Sequence, residues 1–355
     1  MKMPKALKSV LKILGVLMGA VLVFAICFIG YLTVTEYRPQ PSESVKIEGT
    51  ADKVPVLDEE ILVLSYNIGY ANLDRESDFF MDGGKNVRNG DKGLVLNNLE
   101  GIIDGIERAD ADIMFLQEVD ENSTRSFETL QATSIGGSFY GNYAHALNYK
   151  CDFVPFPWPP IGKVNSGIMT HSAYTISNAE RISLPCPFSW PVSAANLKRC
   201  LLISRFDIEG TDKQLVAVNL HLEAYDDGEG KIAQTKMLWD ILEAEYANGN
   251  YVIAGGDFNQ TFPGSLDKYP IKNPELWTPG VLFEEDLPKG WQYVYDDTTP
   301  TCRLLDAPYD PETTQHYVID GFIISPNVEL IGIETADFGF QYSDHNPVAM
   351  CVVLK

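Results

Sequence analysis

Acids, amides and imidazoles recur in this chain at the ends of short apolar runs. Asn67 closes one run and Glu118 another. His221 closes a third, and Asp257 and Asn259 close a fourth. Asp320 lies inside 317–324, and Asp344 and His345 sit just before the apolar stretch 348–354. Any one of these residues would read as a turn or cap. Repetition at the ends of so many runs reads differently, because ligand sites of layered sheets form where strand ends converge. Carboxylates and amide oxygens such as Glu118, Asn67, Asp257 and Asp344 are hard donors that suit Mg²⁺, Mn²⁺ or Ca²⁺, not zinc. The imidazoles of His221 and His345 can donate to a phosphoryl oxygen or take a proton from water. Cation, base and donors together are what an in-line attack on a phosphate ester requires. The other three of the five histidines, His145, His171 and His316, lie outside these motifs and read as packing or surface residues.

The elements that must position these groups are legible from periodicity. Residues 61–67, 112–118, 214–221 and 251–257 are β-branched and apolar runs of strand length. Short strands are also expected at 166–170, 199–205, 317–324 and 347–354. Leu94, Leu99, Ile102, Ile103 and Ile106 recur at helical spacing, as do Ile232, Leu238, Ile241 and Leu242 within 230–247. Buried strands alternating with amphipathic helices, joined by many short connections, predict an α+β fold. Its sheets would pack face to face with helices outside, in one domain over 60–355. A Pro-rich loop is expected at 151–165 (CDFVPFPWPPIGKVN). Two weaker candidates for substrate contact adjoin these elements. Asn165 reads equally as a strand-opening turn, and Arg199 reads also as a surface strand arginine.

The N-terminus differs from the rest. Lys2, Lys5, Lys8 and Lys12 come with no acid among them, and 13–35 then carries no charge over 23 residues. That length spans the hydrocarbon core of a bilayer as a helix. The lysines predict a cytoplasmic N-terminus, with the domain on the extracytoplasmic side of the cell membrane. The apolar run is long for a cleaved signal peptide. Residues 36–59, with Pro39, Pro41 and Pro55, read as a stalk. The net charge of −22 argues against non-specific binding to polyanions such as DNA. Of the six cysteines, Cys27 lies in the apolar run, which leaves an odd number beyond it and no disulfide framework. Cys151 and Cys186 flank the Pro-rich loop and remain a candidate pair. Nothing in the sequence points to a protein partner.

The ordered set LSYN (64–67), LQEVD (116–120), NSGI (165–168), NLHL (219–222), GGDFN (255–259), ID (319–320) and SDHNPV (343–348) resembles the endonuclease/exonuclease/phosphatase superfamily. The resemblance covers roughly 60–355. It implies a two-sheet β-sandwich flanked by helices, a four-layer αββα arrangement. It also implies hydrolysis of phosphodiesters or phosphomonoesters with a divalent metal, Mg²⁺ first and Mn²⁺ second. By that resemblance Glu118 is the principal metal ligand, Asn67 supports metal or phosphate, and Asp344 lies near the metal. Asp257 and Asn259 orient the attacking water. His345 contacts the scissile phosphate or acts as base with Asp320 holding its imidazole, and His221 donates to a phosphate oxygen. The abasic-site endonuclease branch carries a tyrosine-proline-asparagine pattern where this chain reads NLHL, which weakens a DNA-repair reading. The expected substrates are phospholipid head groups, nucleotides or nucleic acid. An extracellular nuclease is the alternative within the enzyme class. A non-catalytic ectodomain that binds a phosphorylated ligand is the alternative outside it.

Overall fold

The structure is a computed structural model that describes residues 4–226 and 228–355. Two seven-stranded sheets lie face to face. One contains, in spatial order, Val328–Thr335, Val348–Leu354, Glu60–Asn67, Ile113–Asp120, Gly162–Ser172, Gly141–Val154 and Ile47–Thr50. The other runs Ser42–Ser44, Asn178–Ser183, Cys200–Asp207, Gln214–His221, Tyr251–Asp257, Asp320–Ile324 and Gln292–Val294.

Each sheet is built around one parallel pair. Glu60–Asn67 runs parallel to Ile113–Asp120, and the helix Lys92–Ala109 connects them. Gln214–His221 runs parallel to Tyr251–Asp257, connected by the helix Glu229–Ala247. Parallel neighbours need a crossover, and a helix over the sheet face is the usual one. Both crossovers therefore send two strand C-termini to the same end of the sandwich. Asp91 starts the first helix by accepting the Leu94 N–H at 3.1 Å, as an N-cap does.

The layers explain why the central strands read as continuous apolar runs, since both of their faces are covered. Val63, Phe115, Ile253, Phe322 and Met350 fill the space between the sheets. Leu99, Ile102 and Ile106 pack on Leu64 and Met114 on one outer face, while Leu238 and Leu242 pack on Val216, Val218 and Val252 on the other. Polar links also cross the buried core: Gln117 Nε2 donates to Asn219 Oδ1 at 2.9 Å, and Asn219 Nδ2 donates to Met169 O at 2.8 Å. The four-layer αββα sandwich expected from the sequence is present.

Three expectations about the elements need correction. The segment 36–59 is not a free stalk: Ser42–Ser44 pairs with Asn178–Ser183, and Ile47–Thr50 pairs with Gly141–Val154, so it supplies an edge strand to each sheet. The expected loop 151–165 shrinks to 155–161 between two long strands, Gly141–Val154 and Gly162–Ser172. Gly141–Val154 escapes a hydrophobicity reading because its buried positions include Asn142, Ala144, Ala146 and Asn148, while Tyr143, His145 and Leu147 are only half-buried. All six cysteines are free, so Cys151 and Cys186 do not pair.

The N-terminal helix Lys5–Val34 is long and apolar enough to cross a membrane by length and composition. Lys2 of the basic tail lies outside the described residues. From Lys5 to Phe24 the helix is exposed, and Leu32 is its one buried residue. Ala25, Phe28, Ile29 and Thr33 are half-buried with it, at spacings of three and four, so a single stripe of the last turns faces the domain.

Candidate active site

The strand register places the polar groups on one level. His221 and Asp320 are the cross-strand partners of Asp257, one on each side of it. On the facing sheet, Asn67 is level with Gln117, one residue before Glu118. A register shift between Leu116 and Val119 marks a bulge there, with Glu118 at φ 55°. The left-handed conformation is costly for a residue other than glycine, and bulges of this kind re-aim a side chain next to active sites. Asn259, just past its strand, has φ 50°. Both residues thus hold strained backbone at the convergence point.

The last motif is tied down from several sides. Ser343 Oγ donates to Asn67 O at 2.8 Å. Arg303 N–H donates to Asp344 O at 3.0 Å, and Asn346 N–H to Thr301 O at 2.8 Å. Gly69, at φ +50°, leaves room for Asp344: a Cβ there would lie 2.8 Å from Asp344 Oδ1.

Asp257 is the hub. Its Oδ2 accepts from Asn67 Nδ2 at 3.0 Å and lies 3.4 Å from His221 Nε2 and 3.8 Å from His345 Nε2. Its Oδ1 accepts the Asn259 N–H at 2.8 Å, while Asn259 Nδ2 donates to Leu222 O at 2.9 Å. His345 Nδ1 meets Asp320 Oδ2 at 2.8 Å, and His345 Nε2 is 4.0 Å from Asp344 Oδ2. Asn67 turns its NH₂ group to the carboxylates, within 3.5 Å of Glu118 Oε1. Its own oxygen is occupied by the Gly69 N–H at 3.0 Å, so in this arrangement it orients carboxylates instead of offering them an oxygen.

Charge states follow from burial and neighbours. Burial pushes the Asp257 carboxyl up to about 6, with Asp320 adding to the effect. Burial likewise lifts Asp344 to about 7, with Glu118 adding to it. Glu118 is raised by burial, which Arg125 and His345 partly offset. Burial is the largest influence on His345 and disfavours its charged form, but Asp320, Cys302 and Asp344 together outweigh it and hold the proton well above the usual histidine range. His221 is driven far the other way, by burial and then by Arg199, and stays neutral. Buried carboxyls crowd here beyond what the imidazoles can neutralise, and their oxygens are hard donors. That set fits a divalent cation of the Mg²⁺ or Mn²⁺ type. Asp257, Asp320 and His345 form a second grouping whose ligand atoms lie within 4.8 Å of one another. The 2.8 Å contact between Asp320 Oδ2 and His345 Nδ1 already uses those two atoms in a hydrogen bond, and Asp320 Oδ1, Glu118 and Asp344 remain as further oxygen donors.

Glu118, His221, Asp257, Asn259, Asp344 and His345 form the floor of a cavity of about 590 Å³. Arg199 lies in its wall, only 4 % exposed. It donates Nη1 to His221 O at 3.2 Å and sits 3.4 Å from Glu223 Oε2. It is therefore a buried, paired arginine that supports His221, not a surface one. Asn165 does not join the site: its Nδ2 donates to Glu121 O at 2.7 Å and its N–H to Ser123 Oγ at 2.8 Å, a turn-holding role. His171 is packed between Phe139 and Tyr143, and burial pushes it down to about 4.

Sequence reasoning missed two cationic members of the cavity. Arg125 stands 3.8 Å over the Tyr70 ring and is held by both oxygens of Asp120 at 2.9 and 3.1 Å. Asp120 closes the LQEVD motif, so an arginine five residues on was the available signal. Arg303 is 1 % exposed and donates Nη2 to the carbonyls of Asp74 and Ser77 at 2.6 and 3.0 Å. It had no local signal. The third omission is the N-terminal helix itself, whose Phe28, Ile29 and Leu32 line the same cavity.

Comparison with known proteins bears on the family and the fold. The model of the endonuclease/exonuclease/phosphatase family matches residues 64–345. No curated protein matches the chain. Among solved structures, an endonuclease/exonuclease/phosphatase from Beutenbergia cavernae DSM 12333 superposes with TM-score 0.56 at 17% identity, covering 83% of this chain and 72% of that one. A protein of the same description from Bacteroides vulgatus gives 0.52 at 16% identity, over 84% of this chain and 100% of that one. TDP2 from Caenorhabditis elegans gives 0.51 at 16% identity, over 85% and 77%. At these identities the likeness carries the fold.

Proposed function

Because the chain belongs to the endonuclease/exonuclease/phosphatase family, a group of phosphate-ester hydrolases, we propose that it is a membrane-anchored, divalent-metal-dependent phosphoesterase facing the extracytoplasmic side. The observation that carries this reading is the hub at Asp257, met by Asn67 at 3.0 Å, His221 at 3.4 Å and His345 at 3.8 Å from both sheets. Glu118 and Asp344 would hold a Mg²⁺ ion, with Mn²⁺ the alternative, which when bound supplies Lewis-acid polarisation of a phosphoryl oxygen and neutralises its charge.

The remaining work falls to this chain's own groups. Asp257, with its carboxyl near 6, is matched to accept a proton from the attacking water at neutral pH. Asn67 and the Asn259 N–H hold that carboxylate in line. Water oxygen bonds to phosphorus as the ester P–O bond breaks, the departing oxygen takes a proton from solvent, and Asp257 later returns its proton to solvent. His345, kept protonated by Asp320, faces the charge that grows on the phosphoryl oxygens, and neutral His221 donates Nε2–H beside it. Preorganised donors of this sort contribute most of the stabilisation in such transfers.

Membrane anchorage is supported by the apolar helix and its basic N-terminal flank. The net charge of −22 and the apolar cavity walls disfavour nucleic acid as substrate. The test is hydrolysis of bis-p-nitrophenyl phosphate, p-nitrophenyl phosphate, phospholipid and plasmid DNA by the full chain in detergent micelles. The expected result is turnover that requires Mg²⁺ or Mn²⁺ and is lost with chelator or His345→Ala. Folded protein that binds phosphate yet turns over none of these overturns the reading in favour of a binding ectodomain. Cleavage of plasmid DNA alone makes it a nuclease.

A further inference from the structure

The cavity changes character between floor and mouth. Its floor is Glu118, His221, Asp257, Asp344 and His345, and outward it is walled by Phe79, Phe80, Val154, Phe156, Pro191 and Val192. Phe28, Ile29 and Leu32 of the N-terminal helix complete that wall. A segment with the composition of a membrane span therefore forms part of the entrance to the site.

That end of the helix is fixed to the domain. Phe28 meets Phe153 edge to face, with centroids 6.1 Å apart. Trp190 Nε1 donates to Thr33 Oγ1 at 3.0 Å. Tyr31 OH donates to Asp152 Oδ2 at 3.2 Å, and Lys198 pairs with Glu36 at 3.0 Å. At the α-helical rise, Leu32 and Phe28 lie roughly 4 and 10 Å inward from Thr35, the last residue of the uncharged run. With 13–35 spanning the bilayer, as proposed above, the mouth opens at the depth where head groups give way to acyl chains. The two loops that supply Phe156 and Pro191 to its wall also carry Trp158 and Trp190; Phe156, Trp158 and Trp190 are 71, 89 and 61% exposed. Aromatic residues so exposed are poorly placed in water and well placed at a membrane interface.

Resting on the phosphoesterase reading above, we propose that the substrate is a membrane lipid carrying a phosphate ester in its head group. It enters sideways from the leaflet that surrounds the helix. The head group reaches the carboxylate and histidine floor, and the acyl chains remain along Phe28, Leu32 and the aromatic rim. A water-soluble nucleotide or a nucleic acid strand would meet no use for such walls, since phosphate backbones are held by cationic grooves.

The experiment uses the full chain in nanodiscs of phosphatidylcholine, phosphatidylglycerol and sphingomyelin with Mg²⁺. Release of lipid head group or phosphate is followed beside hydrolysis of soluble bis-p-nitrophenyl phosphate and glycerophosphocholine. In parallel, tryptophan fluorescence is read in nanodiscs whose acyl chains are brominated. Expected are lipid turnover and quenching by brominated chains, the quenching reduced in Trp158→Ser. In the double variant Phe156→Ser/Trp158→Ser, the lipid rate falls roughly tenfold or more relative to the soluble-ester rate. Cleavage of the soluble esters with lipid left intact overturns the lipid inference and leaves the phosphoesterase standing. So does an equal fall of both rates in the double variant, or the absence of quenching. No turnover of any ester, lipid or soluble, removes the phosphoesterase reading and this one with it.

Discussion

The floor and the mouth of the same cavity are built on opposite principles. At the floor, Asp257 and His345 are each no more than 4 % exposed, and hydrogen bonds link them to Asn67 and Asp320 on strands of the two sheets. At the mouth, Phe156 and Trp190 stand mostly in the open on loops. The floor sits on rigid strand ends, where a small displacement of a reacting group is costly in rate. The mouth is apolar and non-directional, so it can grade substrates without touching the reacting atoms. On the proposed function, the rate belongs to one region and the choice of substrate to the other, and each region can be perturbed separately.

The largest effect belongs to the floor. Asp257→Ala and His345→Ala are expected to lower kcat by roughly a thousandfold on soluble and lipid esters alike, measured by steady-state kinetics on folded protein. A loss confined to lipid would erase the division between floor and mouth. Asp320→Asn comes next, with a loss of roughly a hundredfold, because the acceptor that fixes the His345 tautomer and its charge is gone. Asp320 raises the His345 pKa, so its removal lowers that pKa. The alkaline limb of the kcat/KM profile should then move to lower pH, which a merely structural defect would not produce.

Glu118→Gln is expected to weaken Mg²⁺ binding by roughly ten- to a hundredfold, read by titration calorimetry and by a smaller metal-induced rise in Tm. No change would move the cation to the Asp257, Asp320 and His345 grouping. The smallest effect is at the mouth's attachment. Trp190→Phe removes the hydrogen bond to Thr33 and should loosen the helix end by about 1 kcal/mol. Faster amide exchange over 33–38, with unchanged turnover of soluble esters, would sharpen the contrast between the two regions.

Much of the floor was legible in the sequence because each member sits at the end of a locally recognisable strand. Asn67, Glu118, His221 and Asp257 follow apolar runs whose periodicity needs no tertiary context. Asp344 and His345 precede another such run. Their convergence was inferred from shared position at strand ends, and the two parallel crossovers supply it. Asn165 read equally as a turn residue or a substrate contact, and only its long-range partner Ser123, invisible in NSGI, tips it toward the turn. Arg199 reads as an exposed strand residue, yet its charge is buried against Glu223 and beneath His221. The segment 36–59 reads as a linker by its prolines, yet unpaired sheet edges recruit both of its short strands.

The sequence by itself determined the layered α+β fold, the set of hard ligands and imidazoles, and an apolar helix of membrane-spanning length. These depend on composition and short-range period, which local backbone geometry converts directly into strands and helices. Only the tertiary structure decided that Glu118 adopts a left-handed bulge, that Asp257 and not Asp344 is the hub, and that Phe28, Ile29 and Leu32 wall the site. Those outcomes depend on strand register and on which surface the helix end finds to bury. Contacts between residues more than a hundred positions apart set both, as between Thr33 and Trp190 or Asn67 and Asp257.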